Sequence, residues 1–201
     1  MPQTSARAAI SRERLLAAAG EAFAQRGFHA TTTRDIAAAA GMSPAAVYVH
    51  HASKEELLHL IALEGHLQTQ RLVRDAIAAS DDPVEQLREV ARAFTAFHTE
   101  QHSVARVINY ELVSLDAEHR REIDALRLSI RREVQGVIER GVRAGVFDTP
   151  DPQLVTMAVL SSGIDIARWH QVEATWPAHR IIAFYTDLAL RMVGAPRRGS
   201  A

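Results

Sequence analysis

Between Thr31 and Leu58 the sequence TTTRDIAAAAGMSPAAVYVHHASKEELL packs three helix-start signals into fewer than thirty residues, and no other stretch restricts the fold as tightly. Thr33 is placed to cap a short helix through Ile36 and Ala37, with Asp35 in the first turn, where the positive end of the helix dipole favours a carboxylate. Gly41 ends that helix. Ser43-Pro44 starts another, because Ser is a favoured N-cap and Pro at the first helical position gives up only an N–H that has no intrahelical partner. Ser53-x-x-Glu56 is a capping box that opens a third, much longer helix. Two short helices across a tight Gly-containing turn are the arrangement in which the second helix can enter the DNA major groove.

The rest of the chain reads as further helices. Residues 1–10 are small, polar and basic and predict a loose arm. Ser11 is placed to cap a helix to about Gln25, with Leu16, Ala19 and Phe23 on one face. Phe28, Ile36, Ala37 and Val47 complete a small three-helix core. The long helix spans about Lys54 to Ala79. Asp82-Pro83-x-Glu85 opens the next, with Leu87, Val90, Phe94 and Phe97 on one stripe and a break near residues 101–103. A short helix near 104–114 precedes a charged one from about Asp116 to Arg143, with Ile123, Ile130, Val134 and Val137 at near-heptad spacing and Gly141 and Gly145 at its end. Asp151-Pro152 opens a helix to about Gln171. Its segment 154–160 is apolar almost all round, which implies burial on more than one side, within one subunit or against a second. The last helix covers about Ala178 to Val193, with Ile181, Tyr185, Leu188 and Met192 on one face. No useful stretch alternates with period two, so the predicted fold class is all-α, about nine helices and no sheet. The predicted divisions are 1–53, a helix-turn-helix head; 54–195, a helical body; and 196–201, a disordered tail.

Composition narrows the function classes. The 201 residues contain no cysteine, which removes disulfides, thiolate chemistry and cysteine-bound zinc and fits a reducing compartment. No apolar run approaches a membrane span, and the first ten residues lack the apolar core of a signal peptide, so the expected location is the cytoplasm, with no membrane partner. Residues 1–54 carry six basic and three acidic side chains, a charge of +3. The remaining 17 basic and 21 acidic residues leave 55–201 at −4. A positive head on a negative body favours phosphate attraction. Lys54 is the sole lysine among 23 Lys and Arg residues.

Thr33, Arg34, Asp35, Ile36 and Ala37, with Gly41, Ser43, Tyr48, His50, Ser53 and Lys54, resemble the DNA-binding signature of the tetracycline-repressor (TetR) family. The resemblance covers roughly the first sixty residues in sequence and the remainder in helical architecture. His51 departs from the apolar or aromatic residue usual after the Tyr-x-His. The resemblance implies that Tyr48, His50 and Lys54 clamp phosphates, with Thr33 donating from the neighbouring helix; such contacts fix register without reading bases. Ala45 and Ala46, after Pro44, suit close approach to the groove floor, where a methyl can meet a thymine methyl. Sequence choice then leans on Arg34, Met42, Ser43 and DNA shape. The family also implies a homodimer through the last two helices, an operator of two half-sites about 34–36 Å apart, and a small-molecule effector. Phe94, Phe97, His98, Arg106, Asn109, Tyr110, Asp165, Trp169 and His170 interrupt apolar faces with polar groups and are the candidate effector pocket. The Arg168-Trp169 segment resembles members that sense acyl-coenzyme A or other lipid-derived ligands. No cofactor, metal or catalytic residue is expected.

Two other function classes compete. His98-Thr-Glu-Gln-His102 has the outline of a zinc-hydrolase motif, yet on a helix Glu100 lies about 200° round from His98, pointing the general base away from a metal held by the two histidines. An architectural DNA binder without an effector is the third reading.

Overall fold

The structure, a computed structural model, describes residues 2–45, 47, 51, 53–170 and 175–196, with side chains from residue 10 onward. Eight α-helices and one 3₁₀ turn occur among the described residues, and no strand. The helices are α1 (Pro2–Arg26), α2 (Thr33–Ala39), α3 (Lys54–Ala78), α4 (Pro83–Glu100), α5 (His102–Tyr110), α6 (Ala117–Arg143), α7 (Pro152–Trp169) and α8 (Ala178–Met192). The 3₁₀ turn is Leu112–Ser114.

The predicted loose arm is part of α1, which starts at Pro2 and not at Ser11. Ala6, Arg7, Ala8 and Ala9 are strong helix formers, no proline follows Pro2 before Arg26, and a proline in the first turn forfeits no intrahelical bond. Leu15, not Leu16, heads the buried stripe: Leu15, Ala19 and Phe23 are fully covered, and Leu16 is only partly buried beside them. Gly141 lies inside α6 and does not end it, and the φ of +69° at Gly145 marks the turn instead. A Cβ at Gly141 would stand 2.0 Å from the Phe147 ring, so this glycine exists to admit Phe147 against the helix. The predicted tail falls at residues 197–201 outside the described residues.

The helices form two compact units. The first comprises residues 1–65 and 103–123; Leu15, Phe23, Phe28, Ile36, Ala37, Val47, Leu57, Leu58 and Val107 fill its core. This packing moves the boundary expected at 53/54, because Leu57 and Leu58 of α3 and Val107 of α5 close the same core as α1 and α2. The second comprises residues 66–102 and 124–201, around Val73, Leu87, Val90, Phe94, Ile130, Val134, Val137, Ile138 and Leu160. In it α4 packs most extensively on α8 and next on α7. Within the single chain α7 is not covered all round: Val159, Leu160 and Ile166 are buried, whereas Leu154 is 67% exposed and Met157 42%. On α8, Phe184 is 60% exposed.

Candidate nucleic-acid interface

The cap of α2 is Thr32, one residue before the expected Thr33. Thr32 Oγ1 accepts the Asp35 N–H at 3.2 Å, and the Thr32 N–H donates to Asp35 Oδ2 at 2.8 Å, a reciprocal capping box. These hydrogen bonds from the Thr32 hydroxyl and backbone hold the Asp35 carboxyl below its ordinary pKa, and Arg26 stands 3.8 Å away. At the other end Gly41, with φ +67°, donates to Ala38 O at 3.1 Å while the Met42 N–H donates to Ala37 O at 2.8 Å. This paired closure needs a left-handed residue, hence glycine, and it turns the chain into Ser43-Pro44.

A loop of five residues, 27–31, supports α2 from behind and is pinned from three sides. Thr31 is buried, and its hydroxyl lies 2.8 Å from Gly27 O and 3.2 Å from Ala22 O. The Phe28 N–H donates to Glu111 Oε2 at 3.2 Å. Lys54 Nζ donates to Phe28 O at 2.7 Å and Thr31 O at 2.8 Å, and rests 4.1 Å from the centre of the Phe28 ring. Desolvation at this spot lowers the pKa of Lys54. Lys54, expected to clamp a phosphate, commits two of its three protons to the protein's own backbone, which leaves one for any other partner.

Of the other expected DNA contacts, Arg34, Ser43, Pro44 and Ala45 are exposed, and Thr33 and Met42 are half-buried. Ala46, Tyr48 and His50 lie outside the described residues. Val47 is fully buried in the head's core, and the His51 N–H donates to Val47 O at 2.8 Å. His51, expected at the surface, is only 3% exposed, with Nδ1 3.9 Å from Glu56. Ser53 Oγ accepts the Glu56 N–H at 3.0 Å, the predicted start of α3.

The nine expected pocket residues divide between the two units. Arg106, Asn109 and Tyr110 sit on α5 in the first unit; Arg106 and Tyr110 are exposed, and the Asn109 amide donates to Ala105 O. Phe94, Phe97 and His98 are buried on α4 in the second. His98 Nδ1 donates to Phe94 O at 2.8 Å; burial pushes its pKa down to about 4, against the pull of that hydrogen bond. Asp165 pairs with Arg168 at 2.8 Å, and Trp169 stands edge-on to Trp176 and His170. Phe94 also lines a narrow cleft that opens to solvent, with Thr95, Gly163, Tyr185 and Ala189 among its walls. Thr95 was not singled out in sequence, and Tyr185 was read only as part of the apolar face of the last helix, since each fits an ordinary amphipathic stripe. The hydrolase motif fails locally: α4 stops at Glu100, the chain turns at Gln101, and His102 begins α5, so the two histidines share no continuous helix face.

Comparison with known proteins matches both parts of the chain. The model "Bacterial regulatory proteins, tetR family" matches residues 15–61, and "Tetracyclin repressor-like, C-terminal domain" matches residues 80–193. The HTH-type transcriptional repressor KstR2 of Mycobacterium tuberculosis is 30% identical over 193 residues, 94% of each chain. A bacterial regulatory protein in the tetR family from Rhodococcus RHA1 superposes with a TM-score of 0.88 at 39% identity, covering 93% of this chain and 98% of that one. AibR, solved in complex with isovaleryl coenzyme A and operator DNA, shares the fold with a TM-score of 0.83 at 22% identity over 92% of this chain and all of that one.

Proposed function

Because the chain belongs to the tetR family of bacterial regulatory proteins, helix-turn-helix regulators of transcription, we propose that it is a repressor that binds an inverted-repeat operator as a homodimer and leaves it when a small lipophilic or acyl-coenzyme A effector binds. The observation that carries this reading is the exposed row Arg34, Ser43, Pro44 and Ala45 on a turn held rigid by the Thr32–Asp35 box and the Gly41 closure. A short reading helix has no stability of its own and must be aimed by such supports. Ala45 and Ala46 approach the groove floor, Arg34, Met42 and Ser43 set the sequence choice, and Thr33, Tyr48 and His50 engage phosphates. Lys54 holds the loop behind them.

The apolar strip of Leu154, Met157 and Phe184 supports pairing of α7 and α8 with a second copy. The effector class rests on the Arg168-Trp169 segment and on AibR, which shares the fold and was solved with isovaleryl coenzyme A. Release requires that the effector bind the DNA-free form more tightly, since equal affinity for both forms shifts nothing.

The test is selection of bound fragments from a random DNA pool at near-physiological salt, followed by an effector screen on the selected site. An inverted repeat whose binding is relieved by an acyl-coenzyme A supports the whole reading. Only sequence-blind, salt-sensitive binding by ligand-stripped protein would refute it.

A further inference from the structure

Six titratable side chains converge where the first turns of α3 and α6 meet in the first unit. His119 Nδ1 lies 2.9 and 3.0 Å from the two oxygens of Glu55 and 3.4 Å from Asp116 Oδ2. Below it, the His59 ring lies flat against the His119 ring, centroids 3.7 Å apart and planes within 7°, with Nε2 2.7 Å from Glu122 Oε2. Glu118 adds a further negative charge that acts on His119. Four carboxylates thus surround two imidazoles, and even full protonation of both rings leaves an excess of negative charge.

Helix capping explains only part of this. Asp116 Oδ1 accepts the N–H groups of Glu118 and His119, both at 2.9 Å, and its own N–H donates to Glu55 Oε1 at 3.1 Å. Asp116 Oδ2 is not used in the cap, and it faces His119 Nδ1 at a distance beyond a good hydrogen bond. One nitrogen with at most one proton therefore meets three carboxylate oxygens within 3.4 Å. For metal–ligand bonds of about 2.0–2.2 Å, neighbouring ligands stand roughly 3.0–3.5 Å apart, so these separations already fit the edges of a coordination shell. One donor atom each from Glu55, Asp116 and His119 lies within 4.8 Å of the others, the one such group of three among the described residues.

We propose that Glu55, Asp116 and His119 bind one divalent transition-metal ion of the imidazole-and-carboxylate class, Zn²⁺ or Mn²⁺, with water completing its shell. Two carboxylates and one imidazole suit these ions, and the chain has no thiolate to favour softer ones. His59 and Glu122 orient the His119 ring from behind. The ion takes the place of the proton that Nδ1 shares with Glu55, a proton whose hydrogen bond raises the pKa of His119, and that proton passes to buffer. Because Glu55 directly follows Lys54, the ion fixes the start of α6 to the residue that pins the loop behind α2.

The test uses the full chain, stripped with chelator and dialysed. Zn²⁺ and Mn²⁺ are each titrated calorimetrically in two buffers of different ionisation heat, and bound metal is counted after equilibrium dialysis. The expected result is one ion per chain at about micromolar affinity, release of up to about one proton near neutral pH, and a higher melting temperature with metal. Glu55→Gln and His119→Gln each weaken binding by at least about tenfold, while His179→Gln, at an exposed histidine of α8, leaves it intact. If either variant melts early without metal, Asp116→Asn replaces it, since Asn keeps the cap and removes the charge on Oδ2. No uptake by the wild type, or uptake unchanged in the variants, overturns the proposal.

Discussion

His98 shows how one residue couples burial to pH. Its ring is neutral in the native chain down to about pH 4, because burial disfavours the imidazolium more than the Phe94 carbonyl favours it. The unfolded chain takes up that proton near the ordinary value of about 6.5. Stability contributed by this site is complete above about pH 6.5 and is lost as pH falls toward 4, by up to about 3 kcal/mol. Urea denaturation of His98→Leu should lose most of that slope, and an unchanged slope would assign the acid sensitivity elsewhere. Lys54 gives a second prediction. Lys54→Met strands the Phe28 and Thr31 carbonyls and should cost about 1–3 kcal/mol, and Lys54→Arg should recover little, because a planar fork does not reproduce a compact ammonium under two carbonyls. If Lys54 were only a phosphate clamp, Lys54→Met would leave denaturation untouched and merely flatten the salt dependence of DNA binding. The lone lysine was visible in sequence, but its direction was not. The carbonyls it serves belong to residues 23 and 26 positions earlier, and side-chain direction at such separations is a tertiary fact.

At the scale of the element, the existence and order of the helices were legible, and their edges were less so. Three consecutive threonines, Thr31, Thr32 and Thr33, are each chemically able to cap α2. Packing chooses among them: the hydroxyl of Thr31 is turned inward to Ala22 and Gly27, and Asp35 sits three residues after Thr32. That threonine-to-aspartate spacing was the available signal. Thr32→Ala should therefore cost about 1 kcal/mol in thermal or urea unfolding, and Thr33→Ala much less. The two glycines of α6 separate propensity from packing. Gly136 has open space but for Arg140 at 3.5 Å, so Gly136→Ala should stabilise by up to about 1 kcal/mol. Gly141→Ala drives a methyl into Phe147 and should destabilise by about 1–3 kcal/mol, reversing the sign expected from helix propensity alone. In sequence these two glycines look alike, because the ring that distinguishes them arrives from beyond the turn.

At the scale of the whole molecule, the sequence placed the apolar segment 154–160 but left open what covers it. In the single chain Leu154, Met157 and Phe184 remain outside the core. Phe184→Glu should shift sedimentation toward a monomer and reduce affinity for an inverted repeat far more than for a single half-site, with the thermal unfolding of the head unchanged. A wild-type monomer with full operator affinity would sink the dimer reading. The candidate pocket was the least legible feature. Periodicity marks a polar residue on an apolar stripe, but it does not say which stripes face one another, so Arg106, Asn109 and Tyr110 were grouped with α4 and α7 although they pack in the other unit. His51 failed for a related reason: a histidine beside a motif reads as surface, and only the packed head shows it enclosed beside Glu56.

The single lysine also makes the loop behind α2 chemically addressable. An amine-directed acylating reagent meets one side-chain target in the chain, and that target must first leave the two carbonyls and the Phe28 face before its nitrogen lone pair is available. The rate of labelling at Lys54 thus counts how often the loop opens. An acyl group left there would cancel the charge and deprive both carbonyls of their donor in one event.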